Sequence, residues 1–193
     1  PVIDPATENG TVSSATGGTA ITNVMSNDST NGQPSTTTNS TVAQSGIWPT
    51  GISLDPATGA INVVAGTTPG TYPVTYQLCD KLTPVNCATM TDIVTVTGAI
   101  IPVSENGTVS TLTGGTAINN IASNDTVNGM LAVLGIGGNA TVATSGIWPT
   151  GITLNPTTGA ITVVAGTTPG AYPVTYQLCD LATPIPNCAT MVD

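Results

Sequence analysis

Residues 41–80 and 141–180 agree at 34 of forty positions, including Ser-Gly-Ile-Trp-Pro-Thr-Gly-Ile at 45–52 and 145–152. Upstream the copies continue at another offset: Glu8-Asn9-Gly10-Thr11-Val12-Ser13 returns at 105–110, and Ser26-Asn27-Asp28 returns at 123–125. The change of offset from 97 to 100 places a three-residue length difference between Asn31-Gly32 and Thr41. Such a chain folds as one module made twice, with the length change in a loop. Arrays of this kind serve reach, display or assembly more readily than turnover. The 193 residues divide into repeats at 1–97 and 98–193, each long enough for its own core.

The periodicity is that of strands. In the first copy the candidates are 10–13, 19–24, 40–44, 52–54, 60–64, 70–79 and 88–97, separated by Gly, Pro and Asn. About seven short strands in this length predict an all-β, immunoglobulin-like sandwich for each copy. In the clearest strand, Tyr72, Val74, Tyr76 and Leu78 alternate with Pro73, Thr75, Gln77 and Cys79, so the first set should face the core. Asp55-Pro56-Ala57-Thr58-Gly59 and Asn155-Pro156-Thr157-Thr158-Gly159 read as tight hairpin connections. With no Phe in the chain, the aromatic core must rest on Trp48, Tyr72, Tyr76, Trp148, Tyr172 and Tyr176. Gly98–Val103 reads as a short Pro-containing linker.

Copy 1 runs past Asp92 into Ile93-Val94-Thr95-Val96-Thr97, whereas the sequence reaches only Asp193, the counterpart of Asp92. The second sandwich is therefore expected to lack its last strand. That leaves an edge for strand addition, from continuation of the chain, the favoured source, or from a neighbour.

Charge excludes some functions. The chain carries one basic residue (Lys81), no His and a net charge of −9, so phosphate backbones and anionic membrane surfaces are poor partners. No apolar run is long enough for a membrane-spanning helix, and no membrane insertion is expected. The abrupt start at Pro1 reads as a mature or excised segment. Without His a Ser nucleophile has no ordinary base, so no enzyme activity and no catalytic residue is expected.

The four Cys fall as one pair per copy, Cys79 with Cys87 and Cys179 with Cys188. That arithmetic predicts a local disulfide in each module and hence an oxidising, extracytoplasmic compartment. Zinc is the weaker reading, because it takes four ligands and no His is available.

Trp-Pro-Thr-Gly-Ile-Ser-Leu-Asp-Pro-Ala-Thr-Gly-Ala-Ile, followed by Pro-Gly-Thr-Tyr-Pro-Val-Thr-Tyr, resembles immunoglobulin or cadherin-like repeats of bacterial surface proteins. The tail Tyr-Gln-Leu-Cys-Asp-Lys-Leu-Thr-Pro-Val-Asn-Cys-Ala-Thr, with Gly-Gly-Thr-Ala-Ile-Thr-Asn-Val and Ser-Asn-Asp, resembles repeats of giant SprB-type gliding adhesins of Bacteroidetes, exported by type IX secretion. The resemblance covers most of both copies. It implies an extracellular surface fibre for adhesion or gliding, with neighbouring repeats, surface polysaccharide or other cells as partners. It also implies O-glycosylation at Ser29 and Thr126, in Asp28-Ser29-Thr30 and Asp125-Thr126-Val127. No cofactor is expected. Cadherin-like repeats clamp their junctions with Ca²⁺, and its weak candidates here are Glu105 and Asp125. Two competing readings are a pilus-like filament subunit joined by donor-strand exchange and a carbohydrate-binding module using exposed Trp48 and Trp148.

Overall fold

The computed structural model describes residues 2–183 and 185–193. The chain divides into two compact units, Pro1–Gly98 and Ala99–Asp193. Every regular element among the described residues is a strand.

The first unit contains β1 (Ile3–Asp4), β2 (Asn9–Ser13), β3 (Gly18–Ile21), β4 (Ser29–Thr30), β5 (Gln33–Pro34), β6 (Ser40–Gln44), β7 (Ile52–Asp55), β8 (Ala60–Val63), β9 (Gly70–Asp80) and β10 (Cys87–Thr97). One sheet runs β2-β10-β9-β6 and another β3-β8-β7. β2 lies parallel to β10, and the other pairs in these sheets are antiparallel. Side chains from both sheets form one core: Val74, Tyr76 and Leu78 of β9 meet Ile61 and Val63 of β8 and Val94 and Val96 of β10. This is an immunoglobulin-like sandwich, and the period-2 alternation read in residues 70–79 is what builds it. Gly10 sits where β2 crosses β3, and a Cβ there would collide with the Ala20 carbonyl oxygen; Gly107 meets Ala117 in the same way.

The second unit contains β11 (Ile100–Ile101), β12 (Gly115–Ile118), β13 (Thr126–Val127), β14 (Met130–Leu131), β15 (Ala140–Thr144), β16 (Ile152–Leu154), β17 (Ile161–Val163), β18 (Thr175–Asp180) and β19 (Cys188–Val192). Its sheets run β15-β18-β19 and β12-β17-β16. Residues 106–110, counterpart of β2, form no strand, and β18 starts five residues later than β9 when the two copies are aligned.

Some expectations need correction. Gly98–Val103 is not a free linker, because Ile100–Ile101 pairs with Thr126–Val127 as Ile3–Asp4 pairs with Ser29–Thr30. The pairing is fixed by an Asn in the left-handed region. Asn31 (φ 54°) accepts the Val2 N–H through Oδ1 at 2.9 Å, and Asn128 (φ 53°) accepts the Ala99 N–H at 2.9 Å. The strand expected over 19–24 stops at Ile21, since Asn23 Oδ1 accepts the Met25 N–H at 3.0 Å and turns the chain. Strands β1, β4 and β5 were not foreseen. Their turn is Asn31-Gly32, both at positive φ, a two-residue hairpin signal masked by the polar residues around it.

Candidate functional site

Each unit buries a cluster of acids around a tyrosine. The alternation that points Val74 and Leu78 inward also buries Tyr76 completely. A buried phenol needs a partner, and Tyr76 donates to Asp28 Oδ2 at 2.7 Å while Asp28 Oδ1 accepts the Ala6 N–H at 2.7 Å. Beside them Asp92 Oδ1 accepts the Glu8 N–H at 2.9 Å, and Glu8 Oε1 accepts the Ser26 hydroxyl at 2.9 Å. Glu8 Oε2 and Asp92 Oδ2 are buried without a hydrogen-bond partner.

Burial pushes the Glu8 carboxyl up to about 7; the Ser26 hydroxyl opposes this and the charges of Asp92 and Asp28 add to it. Burial likewise pushes Asp92 up to about 6, against the Glu8 N–H and with repulsion from Asp28. Burial raises Asp28 as well, opposed by the Ala6 N–H and the Tyr76 hydroxyl. A proton held by the Glu8–Asp92 pair removes a like-charge contact and supplies a donor where two bare oxygens stand.

The second unit repeats the arrangement. Tyr176 donates to Asp125 Oδ2 at 2.8 Å, Asp125 Oδ1 accepts the Val103 N–H at 2.7 Å, and Asp193 Oδ1 accepts the Glu105 N–H at 2.9 Å. Glu105 Oε1 accepts the Ser123 hydroxyl at 2.6 Å, and burial raises Glu105, Asp125 and Asp193 alike.

These contacts decide against calcium at Glu105 and Asp125. Ca²⁺ takes about six to eight oxygens, yet both Asp125 oxygens and Glu105 Oε1 already accept protein donors. Among the described residues no group of three or more His, Cys, Asp or Glu side chains is arranged to hold a metal. The residues present do not fit the ion.

The disulfides join Cys79 to Cys87 and Cys179 to Cys188, each across directly opposed ladder positions. A buried aspartate braces the loop beyond each bridge. Asp80 accepts the Asn86 N–H and the Asn86 side-chain amide, both at 2.9 Å. The Asn86 N–H is the main reason its carboxyl lies below the usual range. At Asp180, burial works the other way but is outweighed by hydrogen bonds from Asn187 at 2.8 and 2.7 Å. Neither aspartate stands out in the sequence by itself; the signal is the recurrence of Asp80 with Asn86 and of Asp180 with Asn187 across each disulfide loop.

Trp48 is 8% exposed and donates its indole N–H to the Thr75 carbonyl at 2.8 Å. Trp148 packs half-buried on the second core and donates to Thr175 at 2.7 Å. Neither indole is a free platform for stacking a sugar. Tyr72 and Tyr172 pack at the core margins. Ile47 and Ile147, in the Ser-Gly-Ile-Trp loop of each copy, are instead fully exposed, which nothing in their apolar character announced. Ser29 and Thr126 are half-buried in β4 and β13, directly after the buried Asp28 and Asp125.

In the second unit a cavity of about 560 Å³ has Ile118, Ile152, Ile161, Val163, Tyr172 and Val174, with Glu105 and Asp193, among its lining residues. The first-unit counterparts of those six apolar residues pack against Val94 and Val96, which are 0% and 2% exposed.

No protein-family model matches the chain, and no curated protein matches it. Among solved structures it is similar to the protocadherin gammaB7 EC3-6 cis-dimer structure, at 16% identity and a TM-score of 0.39, over 100% of this chain and 46% of that one. Mouse cadherin-23 EC22-24 is similar at 13% identity and a TM-score of 0.38, over 98% and 63% of the two chains. Drosophila N-cadherin EC1-4 is similar at 10% identity and a TM-score of 0.37, over 96% and 46%. The chain spans about half the length of the first and last of these. The fold assignment rests on the strand order and the shared core described above.

Proposed function

We propose that these modules are a structural stretch of a secreted bacterial surface fibre, of the adhesive or gliding kind, in which they act as disulfide-braced spacers. The observation that carries this reading is where the copies differ. Between blocks 41–80 and 141–180 the six changed positions are 44, 53, 55, 57, 62 and 71 with their partners, and none is buried. Within these blocks every buried position recurs unchanged, and the disulfide and its bracing Asp–Asn pair return in both copies, so what is duplicated is a framework. Bridge and ladder tie the two longest strands of the first module, and only Gly98 and Ala99 separate β10 from β11. Uncharged polar surface limits nonspecific attraction.

Contacts with neighbouring repeats, and weak contacts with polysaccharide or other cells multiplied along the fibre, supply binding by avidity. One disulfide in each module supports a location in an oxidising compartment outside the cytoplasm. Ser29 and Thr126 carry O-glycans in this reading, since each keeps a half-exposed position after its buried Asp. Reduced, denatured native protein examined by gel and mass spectrometry tests the proposal. A species on the order of several hundred kilodaltons, with glycopeptides covering both sites, is expected of a tandem array. A species near the 19.1 kDa of this chain overturns the fibre, and bare Ser29 and Thr126 overturn the glycan assignment.

A further inference from the structure

Where the first module has a polar pocket, the second has apolar residues. In the first unit a cavity of about 260 Å³ has Thr30, Gln33, Asn39, Asp80, Lys81 and Leu82 among its lining residues. The turn at Asn31-Gly32 sets Gln33 opposite Thr30, and Lys81 and Leu82 follow the end of β9 at Asp80. Internal bonds hold the walls. The Thr30 hydroxyl lies 2.7 Å from the hydroxyls of both Ser35 and Ser40. The Asn39 amide is fixed at both ends, donating to the Pro34 carbonyl at 3.0 Å and accepting the Thr36 N–H at 2.8 Å. Lys81 Nζ donates to the Thr37 carbonyl at 2.5 Å, which holds the ammonium in place and leaves its other donors for a ligand. Gln33 is exposed, and its amide offers both donors and an acceptor. Leu82 is exposed as well and adds an apolar surface.

The second unit supplies the contrast. Val127, Met130 and Leu181 stand where the first has Thr30, Gln33 and Lys81, with Val127 opposite Met130 as Thr30 is opposite Gln33. Asn128, Asn139 and Asp180, counterparts of Asn31, Asn39 and Asp80, are kept. The residues that hold the frame recur, and those with donors to spare do not. Charge then selects among ligands. Lys81 is the only Lys or Arg in the chain, and Asp80 beside it is held ionised by the Asn86 N–H. An anion meets Asp80 and a net charge of −9, and a cation meets Lys81. A neutral molecule rich in hydroxyls avoids both, and each of its hydroxyls can donate or accept. The volume suits a single ring, since sites for drug-sized ligands run to about 300–1,000 Å³.

We infer that the first module's pocket is a subsite for one neutral sugar ring, bound by hydrogen bonds from Lys81 and Gln33 with Leu82 against the C–H face of the ring. The inference deepens the polysaccharide contact of the proposed fibre and rests on that reading for its biological setting.

The test is an NMR titration of the full chain with methyl glucoside, methyl galactoside and methyl mannoside, beside glucuronate and glucosamine as charged comparators. At least one neutral glycoside is expected to shift the Gln33, Lys81 and Leu82 amides saturably, with a dissociation constant on the order of 1–10 mM, as fits so small a ligand. The amides of Met130 and Leu181 should stay in place. Lys81→Leu with Gln33→Met installs the residues that the second module folds with, and should weaken binding by about tenfold or more, because hydrogen bonds from an ammonium and an amide are lost. Silence of all three neutral glycosides up to about 100 mM, unchanged affinity in the double variant, equal shifts at Met130 and Leu181, or tighter binding of either charged sugar each overturns the inference. None of these outcomes bears on the mass of the native protein, so the fibre reading stands or falls separately.

Discussion

Replacing Asp92 by Asn tests whether the buried acid pair sets the pH dependence of the first module. Asn keeps an oxygen for the Glu8 N–H, now 2.9 Å from Asp92 Oδ1, and places an amide donor toward the bare Glu8 Oε2. In the wild type both acids titrate above their ordinary values, Glu8 at about 7 and Asp92 at about 6, chiefly because they are buried. Folded values above unfolded ones mean that the native state binds more protons between about pH 4 and 7, so unfolding free energy falls as pH rises through that window. The contribution is fully present below the unfolded values and gone above the folded ones.

Raising Glu8 from 4.5 to about 7 and Asp92 from 3.8 to about 6, at about 1.4 kcal/mol per pH unit, sets an upper bound near 6–7 kcal/mol. Glu8 is partly exposed and the two groups share one interaction, so we expect about 2 kcal/mol between pH 4.5 and pH 8. Urea unfolding followed by Trp48 fluorescence, in a Trp148→Phe background at fixed ionic strength, reads this module alone. Asp92→Asn should match the wild type within about 0.5 kcal/mol at pH 4.5 and exceed it by about 1–2 kcal/mol at pH 8. Asp4→Asn removes one exposed charge and controls for general repulsion in a chain of net charge −9. The reasoning is refuted if the wild type holds its stability across the window, or if Asp4→Asn reproduces the effect of Asp92→Asn.

Two further outcomes follow from the frame. Replacing Cys79 and Cys87 by Ser opens a loop of sequence separation 8 and should cost about 2–3 kcal/mol, lowering the first module's calorimetric transition by roughly 10–20 °C. The second module's transition should stay in place, and a joint shift of both would contradict two independent cores. Gly10→Ala forces a methyl against the Ala20 carbonyl and the Ile21 side chain and should cost about 1–3 kcal/mol, whereas Asn9→Ala, on the exposed neighbour, should change stability by under about 0.5 kcal/mol. Equal stability of the two variants in urea would remove the close crossing of β2 and β3 as the reason for that glycine.

The amino-acid sequence by itself determined the duplication, the all-β class, the inward face of residues 70–79 and one disulfide per module. Each of these is a local or periodic property: strand alternation repeats every two residues, and a Cys pair across a short hairpin has few other partners. The small sheet of β1, β4 and β5 escaped because its strands are two residues long and polar at the turn, so only Asn31-Gly32 signalled it. The acid cluster escaped for another reason. Glu8, Asp28 and Asp92 lie far apart in sequence, and only the packing of β10, the residue before β2 and the turn before β4 around Tyr76 brings them into one buried space, where loss of water rather than any motif raises their proton affinity. Tertiary structure also engaged three of the four carboxylate oxygens of Glu105 and Asp125, the weak calcium candidates, with backbone, serine and tyrosine donors. Which acids become buried, and which donors reach them, depends on residues far apart in sequence, and long-range packing alone fixes that.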